Sequence, residues 1–149
     1  PEQLRTILYR DADMDITLGV AKQYHKAWHD TYPLVAELNA AASRKAEQYG
    51  YVRMINGRRR HLVGKDCGKA FNSIIQGGVG QLMVKAMIDL QKEFPRLQIV
   101  NQVHDSVWVY VPEDEVDYWA KEIPPVMEAV PTQYNISVPF VADYKLWSD

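Results

Sequence analysis

The chain has 149 residues, 47% of them hydrophobic, which is enough for one domain with its own core and excludes a disordered tail. Its single cysteine, Cys67, excludes an internal disulfide framework and a cysteine-based zinc site, and no apolar stretch is long enough to span a membrane. The net charge of −2 by itself neither indicates nor excludes a nucleic-acid partner.

The first predicted elements are two helices. Apolar residues recur at helical spacing over residues 17–31, and Pro33 marks the break after them. A second helix is predicted over about residues 34–49, with Gly50 in the position of a C-terminal stop. A β-hairpin follows, because Asn56-Gly57 lies between two β-compatible runs and both residues accept positive φ.

Charge is distributed unevenly from this hairpin onward. Residues 53–69 contain six basic residues and one acid, a local charge of +5, whereas residues 110–128 contain six acids and one lysine, a local charge of −5. Such a distribution can place a polyanion on one face of the protein. Each run is also compatible with a solvated surface, and charge alone leaves both interpretations open.

Residues 71–94 are predicted to form one long helix. Three glycines inside it, Gly77, Gly78 and Gly80, are unusual, because each costs about 1 kcal/mol relative to alanine in a helix interior. Either the helix begins only after Gly80, or something packs too closely against its backbone for side chains to fit. A neighbouring helix or a nucleic-acid backbone would do so, and spacing alone favours the structural explanation.

His104 and Asp105 form a lone pair between two β-forming runs, residues 99–103 and 107–111. The pair therefore falls where one strand turns into the next. A carboxylate on a tight turn between paired strands is a rigid platform for a metal ion. One carboxylate seldom completes a catalytic site, so further ligands are needed.

The last predicted elements are a helix and a strand. Pro112 and the acids after it make a good helix start, and this helix is expected to end near Pro124-Pro125. Residues 136–141 predict one more strand, and Trp147 is expected to anchor the C-terminus. The element order predicts an α+β domain, with helices on one side of a small antiparallel sheet.

Five short motifs occur in the order and approximate spacing of the C-terminal half of the family A DNA polymerase domain. They are Gly50-Tyr51-Val52-Arg53, Asn56-Gly57-Arg58-Arg59, Asn72 with Gln76-Gly77, Lys85-Ala86-Met87-Ile88 and Gln102-Val103-His104-Asp105. The chain resembles bacterial and phage members of this family over about residues 20–147. No single motif is decisive, but five in register are much more specific.

The resemblance implies a template-directed DNA polymerase that adds deoxynucleotides to a primer 3′-hydroxyl by two-metal nucleotidyl transfer. Asp105 matches one of the family's metal-binding aspartates, and a carboxylate is a suitable ligand for the two Mg²⁺ ions that the family uses. His104 matches the histidine beside that aspartate, near the primer terminus. The alternative for His104 is a turn histidine that bonds nearby backbone.

The resemblance also implies contacts with primer–template DNA. Asn72 and Gln76 match polar residues that reach the minor groove, and at i and i+4 both project from one helix face. Minor-groove acceptors are common to all four base pairs, so such contacts can sense correct pairing. With the family in view, close approach of DNA at Gly77 and Gly78 becomes at least as plausible as helix packing.

Basic residues complete the implied DNA interface, with two departures from the family pattern. Arg58 and Arg59 match a segment where a mixture of phosphate contacts and structural ion pairs is expected. The family often has an arginine at the place of Gly68, and Lys69, one position later, is a candidate substitute. Ser106 stands where members usually have an acid, which weakens the match.

The first palm segment with its aspartate and the basic helix that grips the triphosphate have no counterpart here. Residues 1–50 are therefore expected to be helices of the fingers and their junction with the palm, and residues 51–149 the C-terminal part of the palm. Asp143, on the last predicted strand, is the only acid placed on the same sheet as Asp105. The chain also begins with Pro1 rather than Met, so a section of a longer polypeptide is expected.

We therefore expect the fragment alone to be inactive. Its expected partners are primer–template DNA, deoxynucleoside triphosphates and the missing N-terminal part of the polymerase, in cis or in trans. No membrane is involved, and the expected location is the cytoplasm of a bacterial cell or a phage-infected host.

Two other classes of protein are alternatives. A non-catalytic DNA-binding module or polymerase remnant would have no need to keep Asp105. A metal phosphohydrolase built on the His-Asp pair would need further histidines, and His25, His29 and His61 give no convincing set. His25 and His29 stand at i and i+4, but Trp28 lies between them, and we favour a surface helix face over a metal pair.

Overall fold

A computed structural model describes residues 1–147 of the protein. Five α-helices and four strands occur in these residues: α1 (Glu2–Ala12), α2 (Leu18–Thr31), α3 (Pro33–Tyr49), β1 (Tyr51–Arg53), β2 (Arg59–His61), α4 (Ala70–Glu93), β3 (Gln98–Val103), β4 (Ser106–Tyr110) and α5 (Val116–Ala129). Short 3₁₀ turns cover Gly64–Lys69, Glu113–Glu115 and Pro131–Tyr134. None of the helices in the described part of the chain combines the length and apolarity that crossing a bilayer requires.

The boundaries of α2 and α3 confirm the two helices predicted first. The Thr17 hydroxyl accepts a hydrogen bond from the Val20 amide at 3.3 Å and caps the start of α2. Pro33 is the first residue of α3, and Gly50 ends it at φ +73°, donating its amide to the carbonyl of Ala46. The sequence pattern does not predict α1, which ends at Asp13 in the left-handed conformation.

β1 and β2 form the predicted hairpin, with Tyr51 opposite His61 and Arg53 opposite Arg59. Only Gly57 takes the positive φ that both turn residues tolerate, at +84°. The Met54 amide donates to the Arg58 carbonyl at 2.8 Å, which closes the turn. This hairpin packs on α3 and on the first half of α4 through a core of small and aliphatic side chains: Ala42, Ala46, Val52, Leu62, Cys67 and Ala70.

α4 runs without interruption through all three glycines, so the alternative in which the helix begins after Gly80 is wrong. The close neighbour is the turn of the first hairpin. A β-carbon on Gly77 would overlap the sulfur of Met54, and one on Gly78 would lie 3.9 Å from the Ile55 side chain. Gly77 thus allows the hairpin turn to lie against the helix backbone, whereas Gly80 has no neighbour within 4 Å.

β3 and β4 form a second antiparallel hairpin, packed against the last turns of α4 and against α5. Leu90, Leu97 and Trp119 are buried at this junction, with Ile99 and Val109 packed on them. The pairing register shifts between Ile99 and Asn101, which leaves a bulge at Val100. The α+β class is confirmed, with the strands in two separate hairpins that α4 joins.

The C-terminal predictions need two corrections. α5 continues through Pro124 and Pro125 to Ala129, so the expected end at the prolines is wrong. Residues 136–141 form no strand, because they pair with no other strand in the described part of the chain. Trp147 does contact the second hairpin, with its ring 5.1 Å from that of Trp108.

Candidate functional site

α4 carries or supports the residues predicted to bind DNA or Mg²⁺. Its first turns carry Asn72 and Gln76, and its N-terminal half holds the basic β1–β2 hairpin. Its C-terminal half packs against α5 and the β3–β4 hairpin, whose turn is His104-Asp105. The candidate site is therefore built from one helix and the two hairpins that it holds in place.

His104 and Asp105 are the whole connection between β3 and β4, because Val103 and Ser106 are directly paired. Both are exposed, as expected for a turn that projects from a sheet. His104 has φ +52°, a left-handed conformation that costs a non-glycine residue about 1–2 kcal/mol. Such a conformation persists where the surrounding structure imposes it, and it is found often at functional sites.

Two side chains brace this turn, a role that was not predicted for either of them from the sequence. The Gln102 amide donates to the carbonyl of His104 at 2.5 Å, and the Ser106 hydroxyl donates to the carbonyl of Val103 at 2.9 Å. Both bonds fix carbonyls of the two residues that precede Asp105, so the carboxylate is carried on a braced backbone. A polar side chain flanking each side of a two-residue turn was the available sequence signal.

Asn72 and Gln76 lie one turn apart on α4 and are both exposed. Phe71 and Ile74, between and beside them, pack into the core below the first hairpin. The two amides therefore project from the outer face of the helix, as the i and i+4 spacing predicts. Gly77 follows Gln76 and is only partly buried, although Met54 occupies the position that its β-carbon would take.

Arg58 and Arg59 are exposed in and after the turn of the first hairpin. The Arg59 guanidinium lies 4.6 Å from the centre of the Tyr51 ring, within range of a cation–π contact, and that of Arg53 lies 5.8 Å from it. The ion pairs formed within residues 1–147 involve none of these three arginines. Their charges thus remain available to an anionic partner.

Lys69 is differently placed. Its ammonium lies 2.8 Å from the Asp66 carboxylate, and this hydrogen bond lowers the pKa of Asp66. The lysine side chain is 73% exposed, so the pair is open to water and of small energetic value. An anionic ligand at Lys69 would have to compete with Asp66.

A further ion pair on α4 lies partly buried between the site and the C-terminal turn. Lys85 donates to Asp89, and Gln133 donates to the same carboxylate at 3.0 Å. The Lys85 hydrogen bond is the main reason that the pKa of Asp89 is lowered, and burial opposes it. This group ties the 3₁₀ turn at Pro131–Tyr134 to the middle of α4.

The acids of the described residues do not build a complete metal site. Asp105 offers the oxygen donor that Mg²⁺ prefers. Within residues 1–147, however, no group of three or more His, Cys, Asp or Glu side chains comes together in a way that could hold a metal ion. Asp143 lies in an irregular segment, so its predicted place on the sheet of Asp105 is wrong.

Comparison with known proteins gives consistent matches. The sequence profile of DNA polymerase family A matches residues 8–148. DNA polymerase I of Geobacillus stearothermophilus is 28% identical over 146 residues, a match that spans 89% of this chain and 16% of that protein. The DNA polymerase of Mycobacterium phage L5 is 27% identical over 113 residues, spanning 76% of this chain and 19% of that protein.

Among solved structures, the polymerase domain of Pol1 from M. smegmatis, in complex with DNA primer-template and dNTP, superposes with a TM-score of 0.74. It is 24% identical in sequence, and the match covers 89% of this chain and 25% of that one. This likeness shows the same fold. The chain thus spans between 16% and 19% of the length of the bacterial and phage relatives named above.

Proposed function

The chain belongs to DNA polymerase family A, and from that membership we propose that it forms part of a template-directed DNA polymerase that extends a primer 3′-hydroxyl with deoxynucleotides. The observation that carries the proposal is Asp105, an exposed carboxylate at the apex of a braced two-residue turn. The neighbouring fold from M. smegmatis was solved with primer-template DNA and a dNTP, which supports the same classes of ligand here.

Asp105 is proposed to supply one carboxylate to a site for two Mg²⁺ ions. When bound, such a pair of ions stabilises the attacking and the leaving oxygen of an in-line displacement at phosphorus. The other ligands are proposed to come from the N-terminal part of the polymerase, because residues 1–147 form no complete cluster. This chain would therefore contribute a rigidly held ligand and would lack activity by itself.

His104 is proposed to lie against the primer terminus. Its backbone is held at φ +52°, and Gln102 fixes its carbonyl, so the imidazole leaves the turn in a set direction. An exposed ring next to the metal-holding carboxylate can donate a hydrogen bond to a phosphate or sugar oxygen of the primer. This would align the strand end without reading its sequence.

The duplex is proposed to lie along α4 and the first hairpin. Asn72 and Gln76 would donate to minor-groove acceptors that all base pairs share. Gly77 would lie beside this contact, with the Met54 side chain covering the position of its β-carbon. Arg58, Arg59 and Lys69 would contact phosphates, which position DNA without specifying sequence. In this arrangement residues 51–149 belong to the palm, and residues 1–50 to the fingers side and its junction with the palm.

Primer extension tests the proposal directly. The 149-residue chain and the longer polypeptide are assayed with Mg²⁺, each with and without Asp105→Ala. We expect extension only by the longer polypeptide and loss of extension on substitution. Asp117→Asn, which removes an exposed acid at the start of α5, is a matched control and should leave extension unchanged.

Three outcomes would contradict the proposal. Extension by the longer polypeptide that survives Asp105→Ala would remove Asp105 from the metal site. Extension by the 149-residue chain alone would show that it holds a second carboxylate. DNA binding without any extension by the longer polypeptide would favour the non-catalytic binding module.

A further inference from the structure

Two histidines on α2 face each other outside the proposed polymerase site. His25 and His29 lie one helical turn apart, with their Nε2 atoms separated by 3.4 Å and their ring centres by 4.4 Å. His25 is exposed and His29 is partly buried. α2 contacts α1 and α3 and carries none of the residues proposed to bind DNA or Mg²⁺.

The separation of the two nitrogens matches that of a chelating pair. Zinc–nitrogen bonds of about 2.0–2.1 Å at a tetrahedral angle place two ligand nitrogens roughly 3.3–3.4 Å apart. A right angle at the metal, as in a square-planar site, would bring them to about 2.9 Å with the same bond lengths. The observed 3.4 Å between the two nitrogens matches the edge of a tetrahedron. The ring centres, at 4.4 Å, are closer than the roughly 5 Å expected for two imidazoles that point at one ion, so ion binding requires the two rings to rotate apart.

We propose that His25 and His29 form a bidentate Zn²⁺ site on the surface of α2, with water in the two remaining positions. Imidazole nitrogen is a preferred donor for Zn²⁺, whereas Mg²⁺ requires oxygen donors, so this site and Asp105 select different ions. Sequence spacing alone favoured a plain helix face, and the reason to propose a metal pair instead is that the two nitrogens lie at chelating distance.

The surroundings of the pair leave it open to an ion. Asp30, the nearest acid in sequence, is paired with Lys26 at 2.5 Å, so its carboxylate is already engaged outside the histidine pair. No third protein ligand completes the site in the described residues, since they contain no cluster of three metal-binding side chains. Structural Zn²⁺ sites have four protein ligands, so an ion held by two imidazoles and water would bind reversibly.

Trp28 provides a reporter beside the site. Its ring lies edge-on to that of His29 with 5.1 Å between their centres. A paramagnetic ion that binds imidazole, such as Cu²⁺ or Ni²⁺, should therefore quench Trp28 when it occupies the pair. Three other tryptophans contribute background emission, and Trp28→Phe identifies the part that belongs to this position.

Calorimetric titration of Zn²⁺ into the full chain, with millimolar Mg²⁺ present throughout, tests the proposal. We expect one Zn²⁺ per chain, and at least a tenfold loss of affinity in both His25→Gln and His29→Gln. His61→Gln is the matched control, because His61 is an exposed histidine on β2 without a histidine partner, and it should leave the affinity unchanged. Circular dichroism of each variant confirms that α2 remains folded.

Quenching of Trp28 fluorescence by Cu²⁺ gives a second readout, because it reports only on ions bound close to this tryptophan. It should disappear in His25→Gln and His29→Gln, and the part lost in Trp28→Phe should equal the part lost in either histidine variant. Equal Zn²⁺ affinity of the wild type and the His25→Gln/His29→Gln double variant would overturn the proposal. So would a loss of binding in His61→Gln. Neither result bears on primer extension, because the site does not depend on the proposed polymerase function.

Discussion

The side chain of Met54 packs directly against the backbone of Gly77, so the turn of the first hairpin rests on the helix that carries Asn72 and Gln76. This contact sets the spacing between the basic hairpin and the outer face of α4. It also explains why one of the three glycines is needed where it is.

Replacing Gly77 and Gly80 by alanine should distinguish the effect of packing on stability from the effect of helix propensity. At Gly80 a β-carbon meets nothing within 4 Å, so Gly80→Ala should stabilise the protein by up to about 1 kcal/mol. At Gly77 the same gain is opposed by displacement of the flexible Met54 side chain, so Gly77→Ala should stabilise the protein less than Gly80→Ala does. Urea unfolding of both variants measures the difference.

The double variant tests whether Met54 is the cause. In a Met54→Ala background the obstruction is gone, and Gly77→Ala should then stabilise as Gly80→Ala does. Equal effects of Gly77→Ala with and without Met54 would show that the hairpin turn does not rest on the helix in solution.

The partly buried Asp89 should make stability depend on pH. The Lys85 hydrogen bond lowers the pKa of Asp89 in the folded protein. The resulting stability is complete above the unfolded pKa, about 3.9, and is lost as the pH falls through the folded value. Asp89→Asn should therefore lower the free energy of unfolding at pH 7 by about 1–2 kcal/mol and flatten its decline below about pH 4.

The pair Lys26 and Asp30 is a matched control, with the same residue types and i, i+4 spacing but side chains 77% and 62% exposed. Asp30→Asn should change stability by no more than about 0.5 kcal/mol at pH 7. Acid titration monitored by circular dichroism compares the two. Similar effects at both positions would mean that Gln133 and partial burial add nothing to the Asp89 interaction.

Arg59 should contribute one phosphate contact to DNA binding. Its guanidinium is stacked on Tyr51 and has no carboxylate partner within residues 1–147. Arg59→Gln should weaken binding to duplexes of any sequence and reduce the slope of log K against log salt by about 0.9. Fluorescence anisotropy at several salt concentrations measures that slope. Arg44→Gln, on the exposed face of α3, should leave it unchanged; an equal reduction there would indicate unspecific charge attraction.

Because the backbone at His104 is left-handed, replacement of this residue by glycine should stabilise the protein. Because His104 has φ +52°, His104→Gly removes a strained conformation and should stabilise the protein by about 1 kcal/mol while lowering primer extension. Thermal unfolding and extension are measured on the same preparations. At His61, on a regular strand, the same replacement should destabilise by about 0.5–1 kcal/mol. Destabilisation at both positions would argue that the turn at 104 is unstrained.

The sequence predicts best those elements whose ends are encoded locally. Thr17, Pro33 and Gly50 mark the ends of α2 and α3, and both helices lie within one residue of the prediction. The Asn-Gly turn and the His-Asp turn likewise lie between short paired strands, as predicted. In each case a single residue with a restricted or unusual backbone decides the outcome.

Features that depend on distant contacts were not predictable in the same way. α5 continues through two prolines, although each proline costs about 3 kcal/mol in a helix interior. Val126 and Met127, which follow the prolines, pack on the core, and their burial offsets part of that cost. Residues 136–141 have the composition of a strand but no strand partner in the described chain. The three glycines predicted a close neighbour, yet only the fold identifies it as Met54.

The proposed role of Asp105 in holding Mg²⁺ is tested by single-turnover nucleotide incorporation with the longer polypeptide. Asp105→Asn keeps the shape of the side chain and removes its charge, and the affinity for primer–template DNA is measured on the same samples. We expect the incorporation rate to fall by about a hundredfold or more while the DNA affinity changes less than about twofold. An incorporation rate in Asp105→Asn equal to that of the Asp117→Asn control would contradict this role of Asp105.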